Sequence, residues 1–281
     1  MNDHTYHVEE KDGNRFVTIT NSSATCRLSL FGGHILSYIP ARDNRDRLWL
    51  SPLAVLNGDR PIRGGIPLCW PWFSDDHGKA KGELPSHGFL RTQMWSIEQY
   101  ECDGALSEMV LVPKTTKGPG FDFNCKVKLV VKVGNTLSVS LVTENLEDEK
   151  AFKINCALHT YFEVSNIHHV KLCGMSGNYK DKLDNWAVKP TPVPYEFSSE
   201  TDRIHLEAPS SLTIEENQQA ITSIGSQGHD SIVVWNPWQA AASMSDMDAF
   251  GFKQMLCVET ALTKGLMLQP RQSHSLTQII E

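Results

Sequence analysis

The sequence predicts an all-β fold, a large sandwich or barrel with few short helices, and three observations carry that expectation. Hydrophobic residues recur at every second position over much of the 281-residue chain, the period of a half-buried strand rather than of a helix. These runs are short and separated by turn residues at close intervals. Helical spacing is weak, and residues 210–221 read as a strand with a loop rather than an amphipathic helix. Many strands with few helices pack as two sheets face to face or as one closed sheet.

The clearest strand runs from Phe121 to Val133. Phe121, Phe123, Cys125, Val127, Leu129, Val131 and Val133 alternate with Asp122, Asn124, Lys126, Lys128 and Lys132, and only Val130 interrupts. Gly134-Asn135 then supplies a tight turn that permits positive φ, and Leu137, Val139 and Leu141 resume the alternation, so a β-hairpin is expected. In chain order, further strands are expected over residues 15–20, 25–30, 34–39, 108–112, 152–164, 170–173, 231–235, 255–261 and 275–280. Length alone allows one large domain or two small ones. The Pro-rich residues 189–194 (KPTPVP) are too few for a linker and have strand patterns on both sides. Residues 1–281 are therefore expected to form a single domain.

Charge and cysteine usage narrow the functional classes. A formal net charge of −7 argues against a broad nucleic-acid surface, yet leaves room for a small basic pocket that takes an anionic metabolite. The seven cysteines include no CxxC pair, and their odd number does not suit a disulfide framework. Cys125 and Cys257 lie in apolar runs, where a free thiol behaves as a small hydrophobe. The N-terminal MNDHTYHVEEKDGNR is polar and lacks the apolar region of a secretory signal. No stretch reaches the about 18 uninterrupted apolar residues of a membrane span. A cytoplasmic location is expected, with reduced thiols.

Three segments hold candidate chemistry. In MLCVETAL (residues 255–262), Met255, Cys257, Glu259 and Ala261 share one strand face, and the carboxylate sits where an unpaired charge is costly. Such a glutamate either satisfies loop backbone as a structural residue or has a raised pKa that suits a general base. In ALHTYFEV (residues 157–164), Ala157, His159, Tyr161 and Glu163 share one face. A lone strand histidine is often a hydrogen-bonded structural residue; its ordinary pKa near 6.5 also makes it a usable proton carrier. The third segment, RGGIPLCWPWF (residues 63–73) followed by SHGFLR (residues 86–91), is irregular, aromatic and flanked by Arg63 and Arg91. It reads either as a packed loop with exposed arginines or as a pocket wall, because aromatic faces suit sugar rings and guanidinium forks suit phosphate or carboxylate oxygens. It is not a Walker loop, having no GxxxxGK[ST]. His168-His169 would point its rings to opposite faces of a strand, and no HExxH is present, so no metal site is expected.

With these segments identified, the chain closely resembles the hexose-6-phosphate mutarotases, or glucose-6-phosphate 1-epimerases, a branch of the aldose 1-epimerase superfamily. The resemblance rests on RGGIPLCWPWF at 63–73, HGFLR at 87–91, ALHTYF at 157–162, TDRIH at 201–205, VVWNPW at 233–238 and CVETA at 257–261, in the family's order. It implies a large antiparallel β-sandwich, galactose mutarotase-like, with the sugar in a cleft on one side. It also implies that Glu259 is the general base and His159 the general acid, with His87 assisting, Asp202 positioning hydroxyls, and Arg63 and Arg91 holding the phosphate. No cofactor is expected, no nucleic-acid, membrane or obligate protein partner is implied, and no role is carried over for Trp235 or Asn236. Two other readings stay open at this point: a non-catalytic sugar-binding or sugar-sensing protein on the same fold, and a mutarotase of unphosphorylated aldoses.

Overall fold

The computed structural model describes residues 6–281; the first five residues of the polar N-terminal stretch lie outside them. Two eight-stranded antiparallel sheets dominate the fold, joined by a four-stranded sheet and a two-stranded one. The four-stranded sheet takes the first four strands in chain order, Tyr6–Lys11, Asn14–Thr20, Ala24–Ser29 and His34–Pro40. The helical segments are short 3-10 turns such as Leu90–Thr92 and Trp238–Ser243. This is the expected sandwich, and no helix among the described residues is long and apolar enough to cross a membrane.

One large sheet holds the hairpin legible in the sequence. Cys125–Val133 pairs with Leu137–Asn145, with Val133 opposite Leu137, and alternate residues of the first strand are buried in the main apolar cluster. The turn differs from expectation. It has three residues, the Gly134 N–H donates to the Thr136 carbonyl at 3.1 Å, and neither Gly134 nor Asn135 takes positive φ. A three-residue loop closes the hairpin without the mirror-image turn that a two-residue connection requires.

The other large sheet carries the functional site. Its spatial order runs from Ala187–Pro190 through Asn178–Asp181, Thr201–His205, Ser231–Asn236, Met255–Ala261 and Ala157–Leu158 to Leu68–Cys69. The single strand expected over residues 152–164 is three pieces, Phe152–Ile154, Ala157–Leu158 and Tyr161–Glu163. The chain leaves the ladder at His159, whose N–H donates to the Pro67 carbonyl at 3.0 Å instead. Residues 167–169 form a 3-10 turn rather than a strand, so the expected strand geometry of His168 and His169 does not apply.

Behind the site the two large sheets meet through a buried polar network. Thr160 Oγ1 donates to Gln278 Oε1 at 2.5 Å, Gln278 Nε2 donates to the Val258 carbonyl and to Thr260 Oγ1 at 3.0 Å each, and Ser226 and Thr260 hydroxyls lie 2.7 Å apart. Every polar side chain in this set has a partner, which removes the cost of burying it. Thr260, the one polar residue on the back of an otherwise apolar strand, is explained by this network.

Candidate active site

Strand register brings the site together. Ala157 lies opposite Ala261 and Tyr161 opposite Cys257, so the same register carried across the gap sets His159 opposite Glu259. On the other side Val233 faces Glu259, Trp235 faces Cys257, and Asp202 faces Trp235. Directly opposed residues share a sheet face, as do residues two apart along a strand. His159, Tyr161, Glu259, Trp235 and Asp202 therefore project to one side, away from the Thr160–Gln278 network.

His159, Glu259, Trp235 and Asp202 line a pocket of about 160 Å³ completed by Arg63, Phe73, His87, Lys182 and Val233, with Tyr161 stacked beside it. His159 Nε2 lies 3.5 Å from Glu259 Oε1. The His159 ring stacks on Tyr161 at a 5.0 Å centroid distance and meets His87 edge-on at 5.6 Å. Glu259 is 1 % exposed, its Oε2 and the His159 Nδ1 have no protein hydrogen-bond partner, and a buried acceptor in that state is ready for a ligand donor. Burial, reinforced by the Asp202 charge, pushes the Glu259 carboxyl well above the usual range. Burial, together with the Arg91 and Arg63 charges, pushes His159 down to about 3. Both shifts favour a neutral carboxyl beside a neutral imidazole over the imidazolium–carboxylate arrangement. The two arrangements hold the same number of protons and differ only in which partner carries one.

His87 sits in the left-handed region, φ 62°, a conformation uncommon outside glycine. Its Nδ1 accepts from the Ser74 N–H at 3.1 Å and lies 3.2 Å from Cys69 Sγ. That leaves the ring hydrogen on Nε2. Burial and the Arg91 charge hold its pKa well below the ordinary value, so it is a neutral donor rather than a cation. Asp202 Oδ2 lies 3.0 Å from Lys182 Nζ, and burial raises the Asp202 pKa despite that pairing.

The two arginines are placed differently. Arg63 lines the pocket, donates from one nitrogen to Tyr161 Oη at 2.9 Å, and from Nε to Asp246 Oδ1 at 3.2 Å. Arg91 is not a lining residue; it donates to the Ser86 carbonyl at 2.9 Å and acts on His87 and His159 through its charge. Of the aromatic loop, only Phe73 reaches the pocket. Trp70 Nε1 donates to Thr143 Oγ1 and Trp72 Nε1 to the Pro85 carbonyl, so both indoles are core residues with satisfied N–H groups. Asn236 is structural: its amide donates to the Phe252 and Met255 carbonyls at 2.8 Å each. Lys182 went unnoticed in the sequence because it stands in a charged run, KDKLDN, that resembles any solvated turn.

Buried neutral histidines support this face from behind and outside. His34 Nε2 pairs with the Gly64 carbonyl at 2.7 Å beneath the loop that starts at Arg63, and burial lowers its pKa to about 4. His205, between Tyr195 and Thr191 hydroxyls, is lowered to about 3, again by burial. Between these values and 6.5 the unfolded chain binds protons that the folded one does not, so stability is fully present above 6.5 and is lost as pH falls. Each histidine should cost on the order of 2 kcal/mol between pH 7 and 5, at about 1.4 kcal/mol per pKa unit. Urea denaturation at the two pH values checks this, and an unchanged midpoint would contradict neutral burial.

Apart from Lys182, the residues that converge here are those of the six ordered motifs, and comparison with known proteins gives the same grouping. Residues 15–281 match the aldose 1-epimerase family. A protein of Escherichia coli K12 provisionally named glucose-6-phosphate 1-epimerase is 33% identical over 252 residues, covering 87% of this chain and 82% of that protein. A Cenchrus ciliaris protein with the same provisional name is 31% identical, covering 94% and 83%. Among solved structures, a Salmonella typhimurium protein provisionally described as a mutarotase superposes with a TM-score of 0.88 at 26% identity, covering 100% of this chain and 94% of that one. A match over nearly the whole chain, in sequence and in fold together, has one meaning: the chain belongs to the aldose 1-epimerase family.

Proposed function

We propose that this protein interconverts the α and β anomers of a hexose 6-phosphate, with glucose 6-phosphate as the leading substrate, by acid–base opening and re-closure of the ring. The observation that carries the reading is the 3.5 Å apposition of His159 and Glu259 on one pocket wall. The provisional names of the Escherichia coli and Cenchrus ciliaris relatives support the choice of substrate.

In the proposed mechanism Glu259 takes the proton of the anomeric hydroxyl as the C1–O5 bond breaks and the aldehyde forms, while His159 gives a proton to O5. Rotation about C1–C2 presents the other face, O5 re-attacks, and both protons return. The open-chain stage leaves Glu259 protonated and His159 neutral, the arrangement that burial already favours. His87 donates through Nε2, Asp202 holds hydroxyls, and every proton is accounted for without a cofactor. Residues 1–281 are proposed to act as one domain, supported by an apolar cluster with members from Val17 to Ile280. A cytoplasmic location is proposed on the seven free cysteines.

Arg63 and Arg91 are proposed to hold the phosphate, which is remote from C1 and anchors the sugar rather than joining the chemistry. Arg63→Ala and Arg91→Ala should each raise KM for glucose 6-phosphate more than for glucose. Retention of the full preference for the phosphorylated sugar in both variants would remove the arginines from this role. The reading as a whole is tested by anomer exchange in NMR on glucose 6-phosphate, with glucose and galactose 6-phosphate beside it. A sugar-binding protein without catalysis would leave all three at the spontaneous rate.

A further inference from the structure

Next to the catalytic pocket lies a larger one, about 590 Å³, that shares Phe73 and Lys182 with it. The catalytic pocket is smaller than the about 300–1,000 Å³ of ordinary ligand sites, whereas its neighbour falls within that range. The two follow the same strands. Asp202 and Glu259 line the small pocket, and Ile204, Leu206 and Thr263, a few residues further along, line the large one. The larger pocket therefore continues the site along the sheet.

Its lining is basic in an acidic protein. Lys81, Lys180, Lys182 and Lys264 surround it against Asp75 and Asp76, in a chain whose net charge is −7. Asp76 is already engaged, accepting from Asn155 Nδ2 at 2.7 Å and lying 3.8 Å from Lys153 Nζ. Lys264 Nζ donates only to the Leu206 carbonyl at 3.1 Å, and Lys180 has no ion-pair partner among the described residues. Uncompensated ammonium groups on concave walls concentrate a field that draws anions.

Trp186 adds an independent observation. It lines the larger pocket while 50% exposed. Its backbone is in the left-handed region at φ 65°, directly after Asn185 at φ 49°, and its N–H is tied to the Asp181 carbonyl at 2.8 Å. The two left-handed residues close the hairpin between Asp181 and Ala187 and so fix the indole at the rim of the larger pocket.

We propose that this pocket is a subsite for a second, phosphorylated sugar unit joined to the reacting ring. Trp186 offers its face to that unit, and the Lys180 and Lys264 ammonium groups bind its phosphate as point charges. The proposal rests on the reading that the reacting ring occupies the catalytic pocket. The substrate class is a reducing disaccharide phosphate whose free anomeric carbon enters the small pocket.

The test compares glucose 6-phosphate, maltose, and maltose phosphorylated at the 6′ position of its non-reducing unit, by NMR anomer exchange. The proteins are the wild type, a Lys180→Ala/Lys264→Ala double variant and Trp186→Ala. The wild type should turn over the phosphorylated disaccharide with kcat/KM at least about tenfold above maltose. The double variant should lose most of that advantage while keeping glucose 6-phosphate within about twofold. Trp186→Ala should lower both disaccharides alike. Equal wild-type rates on the two disaccharides would overturn the subsite, as would a loss on glucose 6-phosphate as large as that on the disaccharide phosphate. Failure of the underlying reading has a different signature, no wild-type acceleration of glucose 6-phosphate. Calorimetric titration of Glu259→Gln with the phosphorylated disaccharide, with and without the two lysines, decides binding apart from turnover; binding that ignores the lysines would reject the proposal.

Discussion

Glu259→Gln is expected to lower kcat for anomer exchange by about 10²–10⁴, the usual worth of one positioned acid or base, while leaving substrate binding nearly intact. The substitution keeps the shape of a side chain that is 1 % exposed and removes only its ability to take and return a proton. It also separates the two readings that a buried strand glutamate allows. A structural carboxyl that merely filled its site would be replaced by an amide at little cost in turnover. Stability should hold or rise, because burial already disfavours the charged carboxylate and the neutral amide escapes that penalty. His159→Asn should be similarly slow, and the double variant only slightly slower than either, since two groups that act together in one ring-opening step are not additive. NMR exchange rates and thermal melts supply both numbers, and wild-type turnover in Glu259→Gln would sink the assignment.

Gly88→Ala is expected to destabilise the fold by about 3–5 kcal/mol, among the largest effects of a single methyl group. A Cβ at this position would lie 1.8 Å from the Trp70 carbonyl oxygen and 2.4 Å from its carbon. Neither can give way. Trp70 N–H donates to the His87 carbonyl at 3.2 Å and the Phe89 N–H to the Trp70 carbonyl at 3.1 Å, so the two backbones are stitched together on both sides of the glycine. The positive φ of 72° adds to the cost. Any relaxation that admits the methyl moves His87, one residue away and itself at φ 62°, and with it the Nε2 donor of the pocket. Gly13→Ala is the control: its φ is 78° but nothing lies within 4 Å of the added Cβ, so only about 1 kcal/mol of backbone preference is lost. Urea midpoints for the two variants should differ several-fold in their shift, and equal shifts would show that crowding against Trp70 is unimportant.

Local pattern was a reliable guide wherever one strand face is buried. Met255–Ala261 and Val170–Cys173 have the expected boundaries, and the strands ending at Val133 and beginning at Leu137 pair as the alternation required. It failed where backbone, not side chains, sets the structure. The break at residues 159–160 follows from a hydrogen bond to the Pro67 carbonyl, a partner more than 90 positions away. Trp95–Cys102 and Thr201–His205 were passed over as strands because polar residues interrupt their alternation. The second strand carries Asp202, which only the motif resemblance singled out.

The sequence by itself determined the fold class, through period-two burial, and marked His159 and Glu259 as polar groups in strands with apolar neighbours and Arg63 and Arg91 as the flanks of an aromatic loop, while His87 and Asp202 came from the motif resemblance. Period and polarity are local properties, and side-chain phase along one strand is enough to register them. Only the tertiary structure decided which candidates meet. Register across four strands joins His159, Glu259, Trp235 and Asp202, and the turn after a fifth strand delivers Lys182 to Asp202. It also separated Phe73, which lines the pocket, from Trp70 and Trp72, which do not, and raised the Glu259 pKa while lowering that of His159. Those outcomes depend on desolvation and on charges brought close from distant parts of the chain, and neither exists until the sheets have packed.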